Sequence, residues 1–427
     1  MDVSPRLGLL AAGALLALSA PATSSASSII RYGVDDDAVV HASLTGDSQF
    51  DPLQALGVRL VRFTVDWRQV APQKPEHPLD PSDPAYDWAS TDTAVRGLHR
   101  RGIVVLLTLW GSPAWANGGL GPNAIPLKKY SLAAFAGAVA KRYPWVRLWE
   151  VWNESNQQVF LSPNSPRLYV QRLLNPTYVV LHNRNSQNRV AGGSTTPRPT
   201  KSALGPVAFM RGMRAAHARL DAYSHHPYPI TPGERPFGFA PGVCRYCHGI
   251  LTLATLPELI KEVRRDFGNK RIWLTEYGYQ TSPDKPYSVS DSAQARDLAD
   301  AALRVREAPL VDILIQFLVQ DESTGWKSGL ITSQGTLKPA FYAYMLPLAQ
   351  WSRRGLSTTV WGQVRPGTGL RPYRLERYDF GRWVPVGSWS LTNERGSFKR
   401  SVRARPGARL RVALPGHTAV SPTLRVR

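Results

Sequence analysis

The chain has 427 residues, a length that suits one large domain with a smaller domain beside it. With 43% hydrophobic and 19% charged residues, its composition is that of a folded soluble protein, not of a disordered or membrane-embedded one. The formal net charge of +21 raises the question of an anionic partner, but the charge is uneven: residues 351–427 carry sixteen Lys and Arg against three acids.

The first segment has the pattern of an export signal. Arg6 precedes an apolar run at residues 7–20, and small residues lead up to Ala26, after which we expect cleavage. An uncleaved membrane anchor is the alternative, but the apolar run is shorter than the ~20 residues that span a bilayer. We therefore expect residues 1–26 to be a signal peptide, and the mature protein to be secreted without stable membrane insertion.

Short β-branched runs then alternate with longer helical patterns, as in βα units that build a parallel sheet. Strands are predicted at 31–34, 58–65, 103–109, 146–152, 189–192, 222–225, 271–275 and 312–318. Helices are predicted at 91–101, 132–143, 166–185, 251–267 and 293–307. Eight units predict an α/β fold with a closed (β/α)8 TIM barrel. An open doubly wound sheet is disfavoured because no glycine-rich phosphate loop follows the first strand.

Beyond residue 353 the helical pattern stops. Gly and Pro separate short strand-like runs at 357–364, 373–379, 382–389 and 409–413. This pattern predicts a small all-β sandwich, similar to the fibronectin- or immunoglobulin-like modules of secreted bacterial enzymes. The predicted domains are therefore a barrel at 27–352 and a basic accessory module at 353–427, and we expect that module to contact anionic cell wall or acidic polysaccharide.

Two glutamates follow predicted strands. Glu154 follows the fourth strand in Trp-Asn-Glu, and Glu276 follows the seventh in Thr-Glu-Tyr-Gly. Barrel enzymes build their sites at the carboxyl ends of strands, so these two side chains should meet. Retaining hydrolysis of a glycosidic bond needs two carboxyl groups roughly 5 to 5.5 Å apart, one protonated and one ionised. Glu150 lies four residues deeper than Glu154, and we expect it to be structural.

The two motifs resemble those of clan A glycoside hydrolases, whose acid/base follows an Asn on strand four and whose nucleophile ends strand seven. The stretch Trp-Asn-Glu-Ser-Asn is most similar to family 39 and next to family 5. The resemblance covers roughly residues 29–350. It implies that Glu154 is the acid/base and Glu276 the nucleophile of a double displacement.

The resemblance also implies roles for residues near the two glutamates. Asn153 would bind the sugar 2-hydroxyl, where a hydrogen bond strengthens in the transition state. Arg62, in the second strand, would hold Glu276 ionised. An interior ion pair is the alternative role for Arg62.

Further residues are candidates for lining the sugar site. In the His-x-Tyr motif after strand six, the resemblance implies that His226 lines the site and that Tyr228 bonds the nucleophile. Trp326, after strand eight, is the candidate for the aromatic platform of the family. Trp110, after strand three, offers an indole face suited to a sugar ring, with core packing as the alternative.

Cys244 and Cys247 are the two cysteines of the chain, and in an exported protein so close a pair predicts a disulfide within the loop after strand six. A zinc site would need two more ligands, for which the nearby histidines are a weak signal. We therefore predict no metal. No cofactor is expected either, because two carboxyl groups can perform the proton and covalent chemistry themselves.

These observations predict a secreted retaining β-glycosidase that acts on an oligo- or polysaccharide. The alternative is a catalytically idle cell-surface carbohydrate-binding protein on the same scaffold, which the intact carboxylate pair disfavours. A nucleic-acid partner is disfavoured by the export signal and by the absence of a recognised nucleic-acid motif.

Overall fold

The computed structural model describes residues 30–41, 47–231, 233–239, 249–283 and 288–427. The predicted signal peptide, with its cleavage after Ala26, lies outside these residues. So does the predicted disulfide between Cys244 and Cys247. Both stay predictions. Within the described parts of the chain, no helix is both long and apolar enough to cross a membrane.

Eight parallel strands form a closed barrel in which each strand pairs with the next and β8 pairs with β1. The strands are β1 (Arg31–Asp35), β2 (Leu60–Asp66), β3 (Val104–Trp110), β4 (Leu148–Val151), β5 (Arg189–Thr195), β6 (Ala222–His225), β7 (Arg271–Tyr277) and β8 (Val311–Phe317). The predicted (β/α)8 fold is thereby confirmed. Each predicted strand corresponds to one observed strand, and their ends differ because single-sequence patterns locate boundaries poorly.

Helices cover the outside of the barrel. In the helix at Ser131–Arg142, the side chains of Leu132, Phe135, Ala136 and Val139 are buried, which is the spacing of one helical face. The helices are α1 (Asp37–His41), α2 (Asp51–Ala55), α3 (Trp67–Val70), α4 (Ala89–Arg100), α5 (Ala114–Asn117), α6 (Ser131–Arg142), α7 (Pro166–Leu168), α8 (Asn175–Arg184), α9 (Pro206–Ala215), α10 (Leu256–Phe267), α11 (Asp291–Arg306) and α12 (Pro339–Met345). A π-helical stretch, Tyr169–Leu174, joins α7 to α8, and short 3-10 helices lie at Asp47–Phe50 and Pro415–His417.

Apolar side chains fill the inside of the barrel near the beginnings of the strands. Leu60, Leu106, Leu148, Trp273 and Ile313 belong to this buried cluster. Barrels of eight strands have an interior that side chains can fill completely. Above this cluster, towards the carboxyl ends of the strands, lie the buried polar side chains of Arg62, Glu150 and Glu276.

The C-terminal part folds into two antiparallel sheets around their own core, which includes Leu375, Phe398, Leu410 and Val412. One sheet has the order β14-β10-β9, and the other has the order β12-β11-β15-β16, with β13 paired to β11. The strands are β9 (Leu348–Arg354), β10 (Ser357–Gln363), β11 (Pro372–Asp379), β12 (Arg382–Pro385), β13 (Ser390–Leu391), β14 (Ser397–Arg403), β15 (Arg409–Ala413) and β16 (Leu424–Arg425). The predicted β-sandwich is confirmed. The expected domain boundary between 352 and 353 falls inside β9.

A buried interface joins the β-sandwich to the barrel. Trp361 of β10 is 2% exposed and clusters with Ala302 and Leu303 of α11. The guanidinium of Arg365 lies 4.2 Å from the ring centroid of Tyr32 and 4.0 Å from that of Tyr344. The sandwich is therefore packed against the barrel and is not tethered to it by a free linker.

Candidate active site

A cavity of about 1010 Å³ opens where the barrel strands end. This is near the upper end of the ~300–1,000 Å³ typical of small-molecule sites. Asp35 ends β1, Arg62 lies on β2, Glu276 is the penultimate residue of β7, and Phe317 ends β8. Glu154 enters from the loop after β4. The closed barrel thus brings residues from distant parts of the sequence into one site.

Glu154 and Glu276 lie next to each other in this cavity. Three atoms lie within 4.8 Å of one another: a carboxylate oxygen of Glu154, a carboxylate oxygen of Glu276 and a ring nitrogen of His226. Oxygens this close are compatible with the roughly 5 to 5.5 Å separation of the carboxyl groups in retaining glycosidases. The same three donors also have the composition of a divalent-metal site.

The backbone around this pair includes left-handed conformations that residues other than glycine rarely adopt. They occur at Trp152 (φ 72°), Glu154 (φ 39°) and Ser194 (φ 45°). The Ser194 hydroxyl lies 3.1 Å from Nε2 of His226, whose Nδ1 lies 3.1 Å from Oε1 of Glu154. Such conformations persist where the surrounding structure holds them, and they cluster at functional sites. The strained backbone therefore includes Glu154 itself, whose side chain it directs into the cavity.

Arg62 is 2% exposed and is the centre of an ion network. Its Nη1 donates to Asp35 at 2.5 Å and to Glu276 at 2.8 Å, and its Nε donates to Glu150 at 2.7 Å. Its Nη2 donates to Oδ1 of Asn153 at 2.7 Å. Arg62 therefore forms interior ion pairs and also contacts Glu276, and that it holds Glu276 ionised stays a prediction.

Glu150 is fully buried beneath the cavity. It accepts hydrogen bonds from the hydroxyls of Thr108 and Thr275, each at 2.8 Å, in addition to the bond from Arg62. Burial alone would raise the pKa of Glu150, but the positive charge of Arg62 and these hydrogen bonds bring the pKa below its usual value. Glu150 is therefore an ionised partner of Arg62 in the interior.

The two glutamates differ in what surrounds them. Burial raises the pKa of Glu154 to about 7, although the charge of Arg62 and a hydrogen bond from Gln157 act in the opposite direction. Burial also raises the pKa of Glu276, and the surrounding positive charge and the hydroxyl of Tyr228 oppose that rise. Glu276 accepts a hydrogen bond directly from the Arg62 guanidinium, whereas Glu154 accepts one from the neutral Gln157 amide. This difference in hydrogen-bond donors favours the ionised form of Glu276 more than that of Glu154.

Tyr228 and His226 complete the surroundings of the pair. The Tyr228 hydroxyl donates to Oε2 of Glu276 at 2.9 Å, and burial followed by the charge of Glu276 raises the pKa of Tyr228 well above 10. The phenol therefore stays protonated and donates. Burial lowers the pKa of His226, so its ring is neutral while Nδ1 lies 3.1 Å from Glu154 and 3.5 Å from Glu276.

No family model matches the sequence, and no curated protein matches it. Solved structures match over most of the chain. A monomeric β-xylosidase from Caulobacter crescentus CB15 is 15% identical with a TM-score of 0.57, over 88% of this chain and 94% of that one. The GH39 enzyme from Xanthomonas axonopodis pv. citri is 15% identical with a TM-score of 0.56, over 94% of each chain. A hyperthermophilic β-glucosidase from Pyrococcus furiosus is 14% identical with a TM-score of 0.52, over 74% of this chain and 94% of that one.

The chain shares its (β/α)8-barrel fold with these enzymes. This confirms, for the fold, the resemblance inferred from the Trp-Asn-Glu and Thr-Glu-Tyr-Gly motifs. At sequence identities near 15%, the similarity to these structures shows the fold alone. What the chain does must therefore be argued from its own site residues.

Aromatic side chains form one wall of the cavity. Trp326 lines the cavity and is 40% exposed. Its ring centroid lies 5.5 Å from that of Tyr228 and 5.7 Å from that of Phe317. Trp326 therefore reaches the cavity from its loop after β8 and offers an accessible aromatic surface.

Trp110 packs into an aromatic cluster at the end of β3. Its ring packs at 6.3 Å from Trp152 and at 6.2 Å from Phe160, and its indole N–H donates to the Phe160 carbonyl oxygen. Phe160 lines the cavity, and Trp110 lies one layer behind it. That Trp110 contacts the sugar stays a prediction, and core packing, the alternative role, is seen in this aromatic cluster.

Other cavity residues are absent from the sequence-based prediction. Asp35 and Phe317 are the last residues of β1 and β8, so the rule that barrel sites form at strand ends identifies them once those ends are known. Gln157 lies three residues after Glu154 and donates to its carboxylate. Phe160 reaches the cavity from the same loop, and no sequence motif marks it.

Proposed function

We propose that this protein is a retaining β-glycosidase that acts by double displacement. The observation that carries the proposal is the pair formed by Glu154 and Glu276. One carboxylate oxygen of Glu154 lies within 4.8 Å of one of Glu276, and the Arg62 guanidinium binds Glu276 directly. The pair thus combines a protonated acid with an ionised nucleophile, as retention requires.

In the first half of the reaction, Glu276 attacks the anomeric carbon and Glu154 protonates the departing oxygen. The glycosidic bond breaks as the bond from Glu276 to the sugar forms. Tyr228 and Arg62 hold the attacking carboxylate in place with hydrogen bonds of 2.9 and 2.8 Å. Asn153 offers its amide N–H groups to the sugar 2-hydroxyl, because its carbonyl oxygen already accepts from Arg62.

In the second half, Glu154 is ionised and removes a proton from the incoming water. That water attacks the anomeric carbon, releases Glu276 and gives a product with the original β configuration. Neutral His226 lies 3.1 Å from Glu154 and 3.5 Å from Glu276, and it holds the two carboxyl groups in position through both halves of the reaction.

The charge of the cavity favours a neutral sugar next to Glu276. Arg62 is engaged by three carboxyl groups, and Arg198 lies exposed at the rim. The acidic residues of the cavity lining, besides the two catalytic candidates, are Asp35, Asp36, Asp37, Asp321 and Glu322. A uronic acid would place one more carboxylate among these groups. The names of the β-xylosidase and β-glucosidase that share the fold point to neutral sugars as well.

We further propose that the protein is secreted and that its substrate is an oligo- or polysaccharide. The apolar run before Ala26 supports export. The accessory module, with its high positive charge, would bring the enzyme to anionic cell wall or acidic polysaccharide. The buried core that starts with β9 supports two domains, a catalytic barrel and this module.

Hydrolysis of p-nitrophenyl β-xyloside, β-glucoside and β-glucuronide tests the proposal. We expect turnover of a neutral β-glycoside, with the β-anomer as the first product by NMR. Glu154→Gln and Glu276→Gln are the matched inactive controls, and a chelator should leave the rate unchanged.

An α-anomer as the first product would show inversion and contradict the mechanism. No turnover on any glycoside, combined with retained binding, would favour the alternative of a catalytically idle carbohydrate-binding protein. Loss of activity with a chelator would assign the three donors Glu154, His226 and Glu276 to a metal.

A further inference from the structure

The outer face of the five-stranded sheet presents arginine and aromatic side chains away from the core of the module. Tyr373 and Leu375 of β11 are buried in that core. Successive side chains of a strand point to opposite faces, so Arg374, Glu376 and Tyr378 point outward. The same alternation on β15, around buried Leu410 and Val412, turns its arginines to this outer face.

Strand pairing places these outward side chains beside one another. Trp383 of β12 lies opposite Tyr378 of β11, with ring centroids 5.3 Å apart. The guanidinium of Arg409 lies 3.6 Å from the ring centroid of Tyr378, and that of Arg411 lies 4.3 Å from the ring centroid of Trp383. Stacking on a ring holds a guanidinium in one orientation. Two guanidinium groups of the face are therefore fixed by their neighbours.

A third stacked arginine and a fourth arginine extend the face. Arg374 lies 4.7 Å from the ring centroid of Trp389, which is itself 41% exposed. Arg425 of β16 pairs with Arg409 of β15 in the sheet register. We name this surface the arginine face, and its residues are Arg374, Tyr378, Trp383, Trp389, Arg409, Arg411 and Arg425.

The arginine face contains one carboxylate, Glu376, and it is already occupied. Its Oε1 accepts from Arg374 at 2.8 Å and lies 3.1 Å from Nε2 of His417, and its Oε2 accepts from Nε of Arg411 at 2.8 Å. These bonds leave the terminal nitrogens of Arg411 for another acceptor. Arg409 has no carboxylate partner among the residues that the structure describes. The face therefore carries positive charge that the protein itself does not neutralise.

We propose that the arginine face binds a polysaccharide that carries carboxylate groups. A guanidinium presents two parallel N–H donors, which match the two oxygens of a carboxylate. The rings stack against the protein's own guanidinium groups, so the face presents donors for acidic groups more than bare rings for neutral sugars. That the polymer is a glycan rests on the proposed glycosidase function of the barrel.

The arginine face and the cavity differ in charge. We therefore expect each of them to bind a different kind of sugar residue in the same polymer. The cavity lining is rich in carboxyl groups, whereas the outer face of the sheet is rich in arginine. The sheet would hold acidic residues of the polymer while the barrel cleaves a bond at a neutral sugar. The module thereby selects acidic heteropolysaccharides without taking part in the chemistry.

Binding of the full chain to polygalacturonate tests the proposal, with the fully methyl-esterified polymer as the neutral control. The variant Arg409→Lys/Arg411→Lys keeps the charge but removes the stacked donors. We expect it to bind polygalacturonate about ten-fold more weakly. The matched control Arg395→Lys/Arg405→Lys changes two exposed arginines elsewhere in the module and should bind as the wild type does.

Equal binding by the two double variants, or equal binding of the esterified polymer, would overturn the proposal. Tighter binding of duplex DNA or of anionic lipid vesicles than of polygalacturonate would overturn it as well. The thermal unfolding midpoint checks that each variant is folded, and the single variant Arg409→Lys, at an exposed position, repeats the test if the double variant is not. Because binding is measured without turnover and also in Glu276→Gln, its outcome does not depend on whether the barrel proves to be a glycosidase.

Discussion

The guanidinium of Arg62 donates a hydrogen bond to Oε1 of Glu276 across 2.8 Å. This contact makes the two glutamates of the cavity unequal, because a cation held against a carboxyl group favours its ionised form. Glu154 accepts instead from the neutral amide of Gln157. The proposed roles of Glu276 as nucleophile and Glu154 as acid/base are based on this difference, and each of the first three predictions tests them.

Removal of the nucleophile should stop both halves of the reaction. Glu276→Ala should lower kcat by at least ~10⁴-fold on every substrate, since no covalent intermediate can form. Azide can enter the vacated space and attack the anomeric carbon once. The expected product, identified by NMR, is the α-glycosyl azide.

Removal of the acid/base should have a selective effect. Glu154→Ala should lose roughly 10²- to 10⁴-fold on substrates with a sugar leaving group, but little in the first step on a dinitrophenyl glycoside, which departs without a proton. The intermediate should then accumulate, and azide should restore turnover and give the β-glycosyl azide. An α-azide from Glu154→Ala with a β-azide from Glu276→Ala would mean that the roles are reversed.

The pH dependence of kcat/KM should report both carboxyl groups. Burial raises the pKa of Glu154 to about 7, so the rate should fall as the pH rises through about 7 and the acid loses its proton. On the acidic side, the rate should fall as Glu276 becomes protonated, at a pH above the ordinary 4.5 because burial raises its pKa. In Glu154→Gln with a dinitrophenyl substrate, the pre-steady-state rate of dinitrophenolate release should not fall as the pH rises through about 7. An alkaline limb that survives there would have to come from another group.

Tyr228 should act through its hydrogen bond to Glu276. Tyr228→Phe removes a donor to a charged acceptor, which is worth about 1.5–3 kcal/mol, so kcat/KM should fall by roughly ten- to a hundred-fold. The acidic limb of the pH profile should move to higher pH, because the ionised form of Glu276 loses a stabilising bond. A fall in rate with an unmoved acidic limb would indicate a role in sugar binding alone.

Trp326 and Trp110 form a matched pair for testing the aromatic wall. Trp326→Ala should raise KM on oligosaccharides while leaving the thermal midpoint nearly unchanged, because this side chain is 40% exposed and lines the cavity. Trp110→Ala should instead lower the midpoint, because its ring packs on Trp152 and Phe160. If instead Trp110→Ala raised KM and Trp326→Ala lowered the midpoint, Trp110 would be the residue that contacts the sugar.

The contact between the barrel and the module should contribute strongly to stability. Trp361→Ala removes a buried indole from a cluster with Ala302 and Leu303, and such truncations cost about 3–5 kcal/mol of unfolding free energy. Chemical denaturation of the full chain measures the change. Phe380→Ala, at a fully exposed position of the same module, is the control and should have little effect.

The sequence by itself determined the barrel and the positions of its two glutamates. The strand at 103–109 is apolar on both faces because helices cover one side and packed side chains fill the other, and such a run can be read without a structure. Glu154 and Glu276 could be placed because strand ends in a closed parallel barrel converge on one rim. In the module, the strands β9 and β14 were not predictable, since Leu348–Arg354 and Ser397–Arg403 are partly exposed and carry many charged residues.

Only the tertiary structure decided which site residues form hydrogen bonds and ion pairs with one another. Arg62 binds Asp35, Glu150, Asn153 and Glu276 at once, and these partners come from β1, from β4 and the loop after it, and from β7. A side chain's partners depend on its rotamer and on the register between strands, neither of which leaves a trace in the local pattern of one sequence.

The same reason explains the tryptophans and the outer face of the module. Trp110 and Trp326 both follow barrel strands, yet one turns into an aromatic cluster and the other reaches the cavity wall. The positive charge of the module was visible in its composition, but the stacking of Arg409 on Tyr378 requires the pairing of β11 with β15. Sequence fixes which chemical groups a strand carries, and the folded register decides which of them meet.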